Sequence, residues 1–282
     1  MNPLFQYIPD EIDVNKTYCC AIEYGKGFTH ICLLDTHHCS VVAQEYFQWT
    51  LNEEVLQQPN HSSIIVFCQK QKIPFRVYLH QPIFTLIPAA YKADMVYKDI
   101  LFLLTGKKDG VLASENIDSL SIVNIYAADV DFAYPFIEAI SPINNKRHFI
   151  THWLQGSLKQ IGEQNRIDVI FYPHYFLITI WKEGHLQLIK YIFYKTNEDV
   201  LYHLLDLTDY YSFDIRSISI QLFGTVDKSS NLYKMLGNYF DNMNVASISH
   251  SWSISEILSS KCPTYLSASL LSLVPCASFL EA

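Results

Sequence analysis

The chain is poor in charge and in glycine, and this composition excludes a disordered protein. Charged residues make up 17% of its 282 residues, glycine occurs nine times, and hydrophobic residues make up 50%. A disordered chain needs the opposite balance, with low hydrophobicity and high net charge. At this length, two domains of ordinary size can each bury a core.

Targeting and membrane-spanning segments are also missing from the sequence. The opening stretch, MNPLFQYIPDEIDVNK, has neither the basic start nor the apolar run of a secretory leader. No apolar run approaches the ~20 residues that a spanning helix needs. The seven cysteines form no CxxC framework, which favours reduced thiols. We therefore expect a cytoplasmic protein that does not insert into a membrane.

Basic residues are too few to favour nucleic acid as a partner. The chain has 20 Lys and Arg against 28 Asp and Glu, for a formal charge of -8. Nucleic-acid binding draws most of its affinity from cationic side chains that neutralise phosphates. The 19 Tyr and 17 Phe instead favour half-buried strands and half-wet contact surfaces. A protein partner is the expectation, although nothing in the sequence identifies it.

Two stretches, one in each half of the chain, have the pattern of three-stranded antiparallel meanders. The first runs from Tyr18 to Phe47, with a Gly-rich turn and a polar turn between its strand-like runs. The second begins at Ile167 with the same alternation of strands and tight turns. After it, Thr196 and Asp199 predict a capped helix, and a strand, a helix and a strand follow. We therefore predict a duplicated α/β architecture, with domains at residues 1–148 and 149–282.

This order resembles the actin-like ATPase superfamily, and more narrowly an uncharacterised bacterial family of that fold. The segments that carry the resemblance are FRVYLHQPIFTLIPAAY (75–91) and IDVIFYPHYFLITIWKEGHLQLIKYIFYKTNEDVLYHLL (167–205). The resemblance implies two RNase H-like halves, each a mixed sheet with a three-stranded antiparallel meander and flanking helices. It implies no biochemical role, because this fold serves many functions.

In active members of the superfamily, the first hairpin cradles phosphate and its Asp helps to hold Mg²⁺. The matching stretch here is Glu23-Tyr24-Gly25-Lys26-Gly27, with Glu23 in the place of the Asp. The two glycines permit a close backbone approach, and Lys26 offers a charge. A hairpin turn that needs glycine for its own geometry explains the same residues and is the favoured interpretation.

The other two nucleotide motifs are degenerate. The second hairpin has Pro173 and His174 where a Gly-rich turn with a carboxylate is expected, and proline removes a backbone donor. The adenine-side motif reads Phe223-Gly224-Thr225, with phenylalanine in the place of one glycine. A vestigial nucleotide site would therefore consist of the six residues Glu23, Gly25, Lys26, Gly27, Gly224 and Thr225.

The sequence gives little support to two further kinds of site. The His37-His38 pair, with His30 or Cys32, lacks the spacing of a four-ligand zinc site, so no metal is predicted. An RNase H-like nuclease would need several convergent carboxylates for two metals. Glu23, Asp35 and Asp168 are too scattered to favour it.

The leading hypothesis is therefore a non-catalytic binding or scaffold protein on a degenerate actin-like fold, with no cofactor. The alternative is a switch or enzyme that binds a nucleotide or another phosphate ligand between its domains, with ATP and Mg²⁺ as the cofactors.

Overall fold

A computed structural model describes residues 3–49, 62–91, 99–100, 102–103, 106, 112–127, 146–161, 164–247 and 252–274 of the chain. The chain divides into two compact units, Met1–Ser157 and Leu158–Ala282. This division falls within helix α2 (Phe149–Ile161), whose first residue is also where the sequence-based domain boundary was placed.

The main sheet of the first unit contains six of its strands, in the order β1-β4-β3-β2-β5-β9. β2 pairs antiparallel with β3, and β3 with β4. β5 pairs in parallel with β2, and β9 pairs in parallel with β5. Helix α1 (Ser63–Lys70) provides the crossover between β4 and β5. The strands are β1 (Phe5–Tyr7), β2 (Tyr18–Gly25), β3 (Phe28–Asp35), β4 (Ser40–Gln48), β5 (Phe75–Leu79) and β9 (Lys146–His148).

The two faces of this sheet differ in character. Ile22, Ile31 and Val77 lie on the face that packs against Ile64 and Ile65 of α1 in an apolar core. Side chains alternate between faces along a strand, so the neighbouring positions lie on the other side. That opposite face is rich in polar and aromatic residues, and it carries the site described below.

A second, smaller sheet lies between β5 and β9 in the chain. Its order is β6-β8-β7, and both pairings are antiparallel. The sequence pattern predicts strands at IFTLIP (83–88) and from Ser119 to Tyr126, which correspond to β6 and β8, and it predicts no strand at β7. The strands are β6 (Phe84–Pro88), β7 (Leu112–Ile117) and β8 (Ile122–Ala127), with 3-10 helices at Ala89–Tyr91 and Asp118–Leu120. The sequence pattern also predicts a helix from Val130 to Ile140, and this stretch lies outside the described residues.

The second unit repeats the strand order of the first. Its sheet runs β12-β11-β10-β13-β14, with an antiparallel meander followed by two parallel strands. Omitting β1, the first unit has the same order, β4-β3-β2-β5-β9. The predicted duplication of an RNase H-like unit is therefore confirmed. The strands are β10 (Arg166–Phe171), β11 (Tyr175–Lys182), β12 (His185–Phe193), β13 (Ser219–Gly224) and β14 (Met243–Val245).

Helices α3 and α4 supply the crossovers of this second sheet, and local capping explains where they begin. Thr196 accepts a hydrogen bond from the Asp199 N–H, and the Asp199 carboxylate accepts one from the Thr196 N–H, which forms the predicted capping box. Ser230 caps α4 in the same way, through the Tyr233 N–H. The helices are α3 (Asn197–Tyr210) and α4 (Asn231–Leu236).

The C-terminal part of the second unit adds a short strand and two helices. These are β15 (Ser253–Ile254), α5 (Glu256–Lys261) and α6 (Thr264–Leu273). Helix α6 is buried along most of its length and packs against β13. The apolar, serine-containing stretch from Tyr265 to Leu280 predicts a buried helix and tail, and its described part agrees. Among the described residues, no helix combines the length and the apolar character needed to cross a bilayer.

Most of the described cysteines agree with the expected reduced state. Cys19, Cys20, Cys32, Cys68 and Cys262 are free and buried. Cys39 is disulfide-bonded, which corrects the expectation of a reduced thiol at that position.

Candidate functional site

The first hairpin joins β2 to β3 through a turn of two residues, Lys26 and Gly27. Gly25 pairs with Phe28 across the turn, and Gly27 adopts a φ of +85°, a conformation that favours glycine. The Gly27 carbonyl accepts a hydrogen bond of 3.0 Å from the Trp49 N–H. Both glycines are buried, and Lys26 is partly exposed. Tight turn geometry therefore accounts for Gly27.

Glu23 lies three residues before this turn, on the polar face of the sheet, and is only 1% exposed. Its Oε1 is 2.9 Å from His80 Nε2, a normal hydrogen bond, and its Oε2 is 3.8 Å from His30 Nδ1. Burial alone would raise the pKa of Glu23, but the two histidines outweigh it and lower that pKa to about 2. Glu23 is therefore an ionised carboxylate held between two buried imidazoles.

The two histidines occupy positions that the strand register brings beside Glu23. His30 is the cross-strand partner of Glu23, and His80 directly follows β5, the parallel neighbour of β2. Burial lowers the pKa of His80, against the opposing effect of Glu23. A neutral His80 donates its Nε2 proton to the carboxylate. His30 Nε2 also lies 3.4 Å from Cys32 Sγ, which extends the polar chain along β3.

Aromatic rings enclose this group of polar side chains. The His80 ring lies 4.1 Å from the Phe149 ring at the start of α2 and 5.4 Å from the Phe28 ring, measured between centroids. Tyr46 packs against both His30 and Phe28. The charge of Glu23 is thus compensated by hydrogen bonding within an apolar shell, where an unpaired charge would be very costly.

A neighbouring polar cluster surrounds the start of α2. His148 donates from Nε2 to the Gln81 carbonyl at 3.0 Å and accepts at Nδ1 from the Ile150 N–H at 3.2 Å. These bonds define a neutral ring, and burial lowers its pKa to about 3. Glu115 accepts from the His148 N–H and from the Tyr126 hydroxyl, each at 2.9 Å. Side chains of the first unit therefore already occupy this helix terminus.

The corresponding hairpin of the second unit has packed aromatic side chains at its turn instead of glycines. Between β10 and β11, the Tyr172 N–H donates to the Tyr175 carbonyl at 2.9 Å. The Tyr172 and Tyr175 rings lie 5.0 Å apart, and both side chains are buried. Aromatic packing thus forms the turn at the position where a Gly-rich phosphate loop would be expected.

Gly224 and Thr225 both contact Phe171, the last residue of β10. The Thr225 N–H donates to the Phe171 carbonyl at 3.0 Å. Gly224 has a φ of +82°, and a Cβ there would lie 2.1 Å from the Phe171 carbonyl oxygen. Close packing of two strands therefore requires glycine at this position, whether or not a ligand is bound.

The structure thus groups four of the six predicted site residues on one hairpin of the first unit and two in the second unit.

The other candidate carboxylates have partners of their own. Asp35 accepts from His38 Nδ1 at 2.9 Å and lies 3.4 Å from Lys16 Nζ. Asp168, whose pKa burial raises to about 6, pairs with Arg166 and accepts from Trp181. The described residues include no group of three or more His, Cys, Asp or Glu placed to hold a metal ion.

His80 and His148 were missed as members of these clusters by reasoning from the sequence. Each directly follows or ends a strand at the edge where the parallel strands finish. That placement was a usable signal, since the carboxyl ends of parallel strands meet there. It became informative only once β5 and β9 were known to be parallel neighbours.

Solved structures with similar architecture define the class of this fold. A Bacteroides thetaiotaomicron protein with an actin-like ATPase fold and unknown function has a TM-score of 0.62 and 14% identity, over 84% of this chain and 94% of that one. A chain of the PilM–PilN type IV pilus biogenesis complex has a TM-score of 0.68 and 11% identity, over 95% of this chain and all (100%) of that one. At such low identity these likenesses show the fold alone, and the predicted actin-like ATPase fold is confirmed.

Within this class, the chain belongs to the family described as protein of unknown function (DUF3822). The family model matches residues 10–243. Among curated proteins, none matches the sequence.

Proposed function

We propose that this protein is a non-catalytic binding or scaffold module that engages a protein partner. The observation that carries the proposal is the environment of Glu23. Its side chain is buried, and His80 and His30 already engage its two oxygens. To help to hold Mg²⁺, it would have to exchange these contacts for water and metal.

The second unit supports the same proposal. Gly224 is explained by its contact with the Phe171 carbonyl, and aromatic packing forms the second hairpin. These two positions would supply backbone donors and space for a nucleotide in an active superfamily member. Here local packing accounts for both of them.

A protein partner is favoured by two observations. The surface of the described residues includes several well-exposed aromatic side chains, with Tyr202 at 66% and Tyr210 at 77%. Tyrosine is common in protein interfaces, because it combines apolar area with a polar group. One of the two similar structures is itself a component of a protein complex, PilM–PilN. We further propose a cytoplasmic location, which the five buried free thiols favour and the Cys39 disulfide does not.

The alternative proposal is a switch that binds a nucleotide or another phosphate ligand. One observation favours it: Lys26 is partly exposed at the tip of a turn between two glycines. An amino group there could meet a phosphate without disturbing the buried network behind it.

Thermal unfolding with ATP, ADP or GTP, each with Mg²⁺, distinguishes the two proposals. We expect no change in Tm at millimolar nucleotide. A ligand present at 100 times its Kd would stabilise the protein by about 2.7 kcal/mol, which raises the Tm measurably. A rise that disappears in Lys26→Ala and persists in Lys228→Ala would replace our proposal with the switch. Gly224 is unsuitable as a test position, because any side chain there collides with Phe171.

A further inference from the structure

Helix α3 presents a regular row of exposed side chains. Residues four apart in sequence follow one another along a helix surface and form a ridge. On α3 this ridge alternates between carboxylates and tyrosines, and all of its members are exposed, with Tyr202 at 66% and Tyr210 at 77%. We call this row the α3 ridge, and its members are Glu198, Tyr202, Asp206 and Tyr210.

The tyrosine rings of the α3 ridge receive little cover from the rest of the chain. The Tyr202 ring contacts the His203 ring at 5.6 Å, and the Tyr210 ring contacts the Tyr211 ring at 5.0 Å, between centroids. Each contact is with the next residue of the chain, and most of each side chain still faces solvent. Because tyrosine combines a large apolar ring with a polar group, it is enriched in protein interfaces. The two rings therefore indicate a contact surface.

The charge of α3 is of one sign. The sequence contains no Lys or Arg between Lys195 and Arg216, and the carboxylates of the helix are those of Glu198, Asp199, Asp206 and Asp209. The first two suit the helix dipole, but Asp206 and Asp209 lie towards the C-terminal end, where the dipole disfavours a carboxylate. Within the described part of the chain, neither of these two takes part in an ion pair. This end of the helix is therefore complementary to a cationic partner.

The alternation within the α3 ridge indicates which cation fits it. A guanidinium group is planar, so it can form two parallel hydrogen bonds with a carboxylate and can also stack on an aromatic ring. Successive members of the ridge are about 6 Å apart along the helix axis, at a rise of about 1.5 Å per residue. Arginines four residues apart on another helix have the same repeat. Each arginine can then meet one carboxylate of the ridge and cover the neighbouring ring, which the compact ammonium group of lysine does less well.

We propose that the α3 ridge docks a helical segment of a partner protein that carries arginines four residues apart. The ridge would pack into the groove of that helix, as rows of residues four apart do between helices in general. The proposal rests on the proposed binding function and adds to it the surface and the chemistry of the partner. Because the charges of the ridge are exposed, salt should weaken the interaction.

Fluorescence anisotropy of a labelled peptide with the full chain tests the proposal. The probe is an alanine-based helical peptide with arginine at every fourth position, compared with the same peptide carrying lysine. We expect saturable binding of the arginine peptide with a Kd of about 100 µM at low salt, and weaker binding of the lysine peptide. Tyr202→Ala and Asp206→Asn should each weaken binding at least about threefold, because they remove a stacking ring and a carboxylate charge.

Two variants away from α3 are the matched controls for ring and charge. Tyr91→Ala removes a tyrosine that is 61% exposed, and Glu256→Gln removes an exposed carboxylate at the start of α5. Both should bind the arginine peptide like the unmodified chain. Absence of saturable binding up to about 1 mM overturns the proposal. So does binding that the ridge variants leave unchanged, or that the control variants weaken equally, because the peptide would then respond only to the overall negative charge.

The peptide and nucleotide experiments separate this proposal from the proposed function. If the peptide does not bind and nucleotide leaves the Tm unchanged, the α3 ridge is not the docking surface, while the binding or scaffold proposal stands. A rise in Tm with nucleotide that Lys26→Ala abolishes would reject the scaffold proposal, whatever the peptide does.

Discussion

Replacing Glu23 with alanine should destabilise the first unit by about 2–4 kcal/mol. The substitution removes the acceptor of the His80 hydrogen bond and the charge beside His30, and it leaves both rings buried among aromatic side chains. A buried donor without an acceptor costs its full desolvation free energy, and the lost side-chain volume adds a cavity.

Urea unfolding followed by hydrogen exchange in the first unit measures this effect. Glu23→Gln is the matched variant, because its side chain keeps an oxygen that can accept from His80, so we expect a smaller loss. Glu198→Ala, at an exposed position on α3, should change stability by no more than about 0.5 kcal/mol. If Glu23→Ala were as stable as the unmodified chain, the carboxylate would not be a structural member of the network, and a role in ligand binding would regain support.

Acidification from pH 6.5 to pH 4 should destabilise the first unit by about 3 kcal/mol through His148 alone. The folded-state pKa of His148 is about 3, below its ordinary value of 6.5. In this range the unfolded chain binds a proton at this residue and the folded chain does not. The free energy of unfolding therefore falls as the pH falls. His152, with a pKa lowered to about 4 by burial, adds a smaller contribution because it is partly exposed.

At Asp168 of the second unit, the free energy of unfolding should change with pH in the opposite direction over part of this range. Burial raises the pKa of Asp168 to about 6, so its folded state gains a proton before its unfolded state does. The stability that this group contributes is present below pH 3.8 and is lost as the pH rises through 6. Acidification through this range therefore stabilises the second unit through Asp168. It destabilises the first unit through His148.

Hydrogen exchange resolved by peptide, at several pH values and corrected for intrinsic rates, separates the two responses. His148→Gln should flatten the pH dependence of the first unit by about one proton, whereas His185→Gln, at an exposed position, should not alter it. An equal loss of protection in both units on acidification would contradict this account.

The elements predicted from sequence were those set by local signals. The meanders from Tyr18 and from Ile167 have short turns and continuous strand-forming runs, so the chain itself fixes their pairing. The capping residue Thr196 likewise acts within a few residues of its own position. The fold class followed because the same order occurs twice.

The features that were missed depend on contacts between distant parts of the chain. β7 is polar and half-exposed, and only its pairing with β8 makes it a strand. His80 becomes the partner of Glu23 because β5 adds to β2 in parallel across 57 residues of sequence separation. The sequence pattern also predicts a helical or mixed stretch that starts at Asn52 and runs to Gln71. Its start lies outside the described residues, and its later part contains α1.

The sequence predicts the site residues by their chemical type, but it does not predict what surrounds their side chains. Glu23, Gly25 and Gly27 do lie together on a hairpin. Whether a carboxylate in a strand faces solvent or two histidines depends on which face of the sheet it occupies and what covers that face. Gly224 makes the same point, because the carbonyl that excludes a Cβ belongs to Phe171, which lies on a different strand and far away in the sequence.

The insertion of the small β6-β8-β7 sheet has a consequence for the order of folding. β5 ends at residue 79 and its neighbour β9 begins at residue 146, so the first sheet closes only after the whole intervening segment has been synthesised. In the second unit, single helices separate β12, β13 and β14. Long closures slow folding through chain entropy, so the later-synthesised unit should complete its sheet in fewer and shorter steps. During translation, the edge of β5 stays open to incorrect strand pairing until β9 has been synthesised.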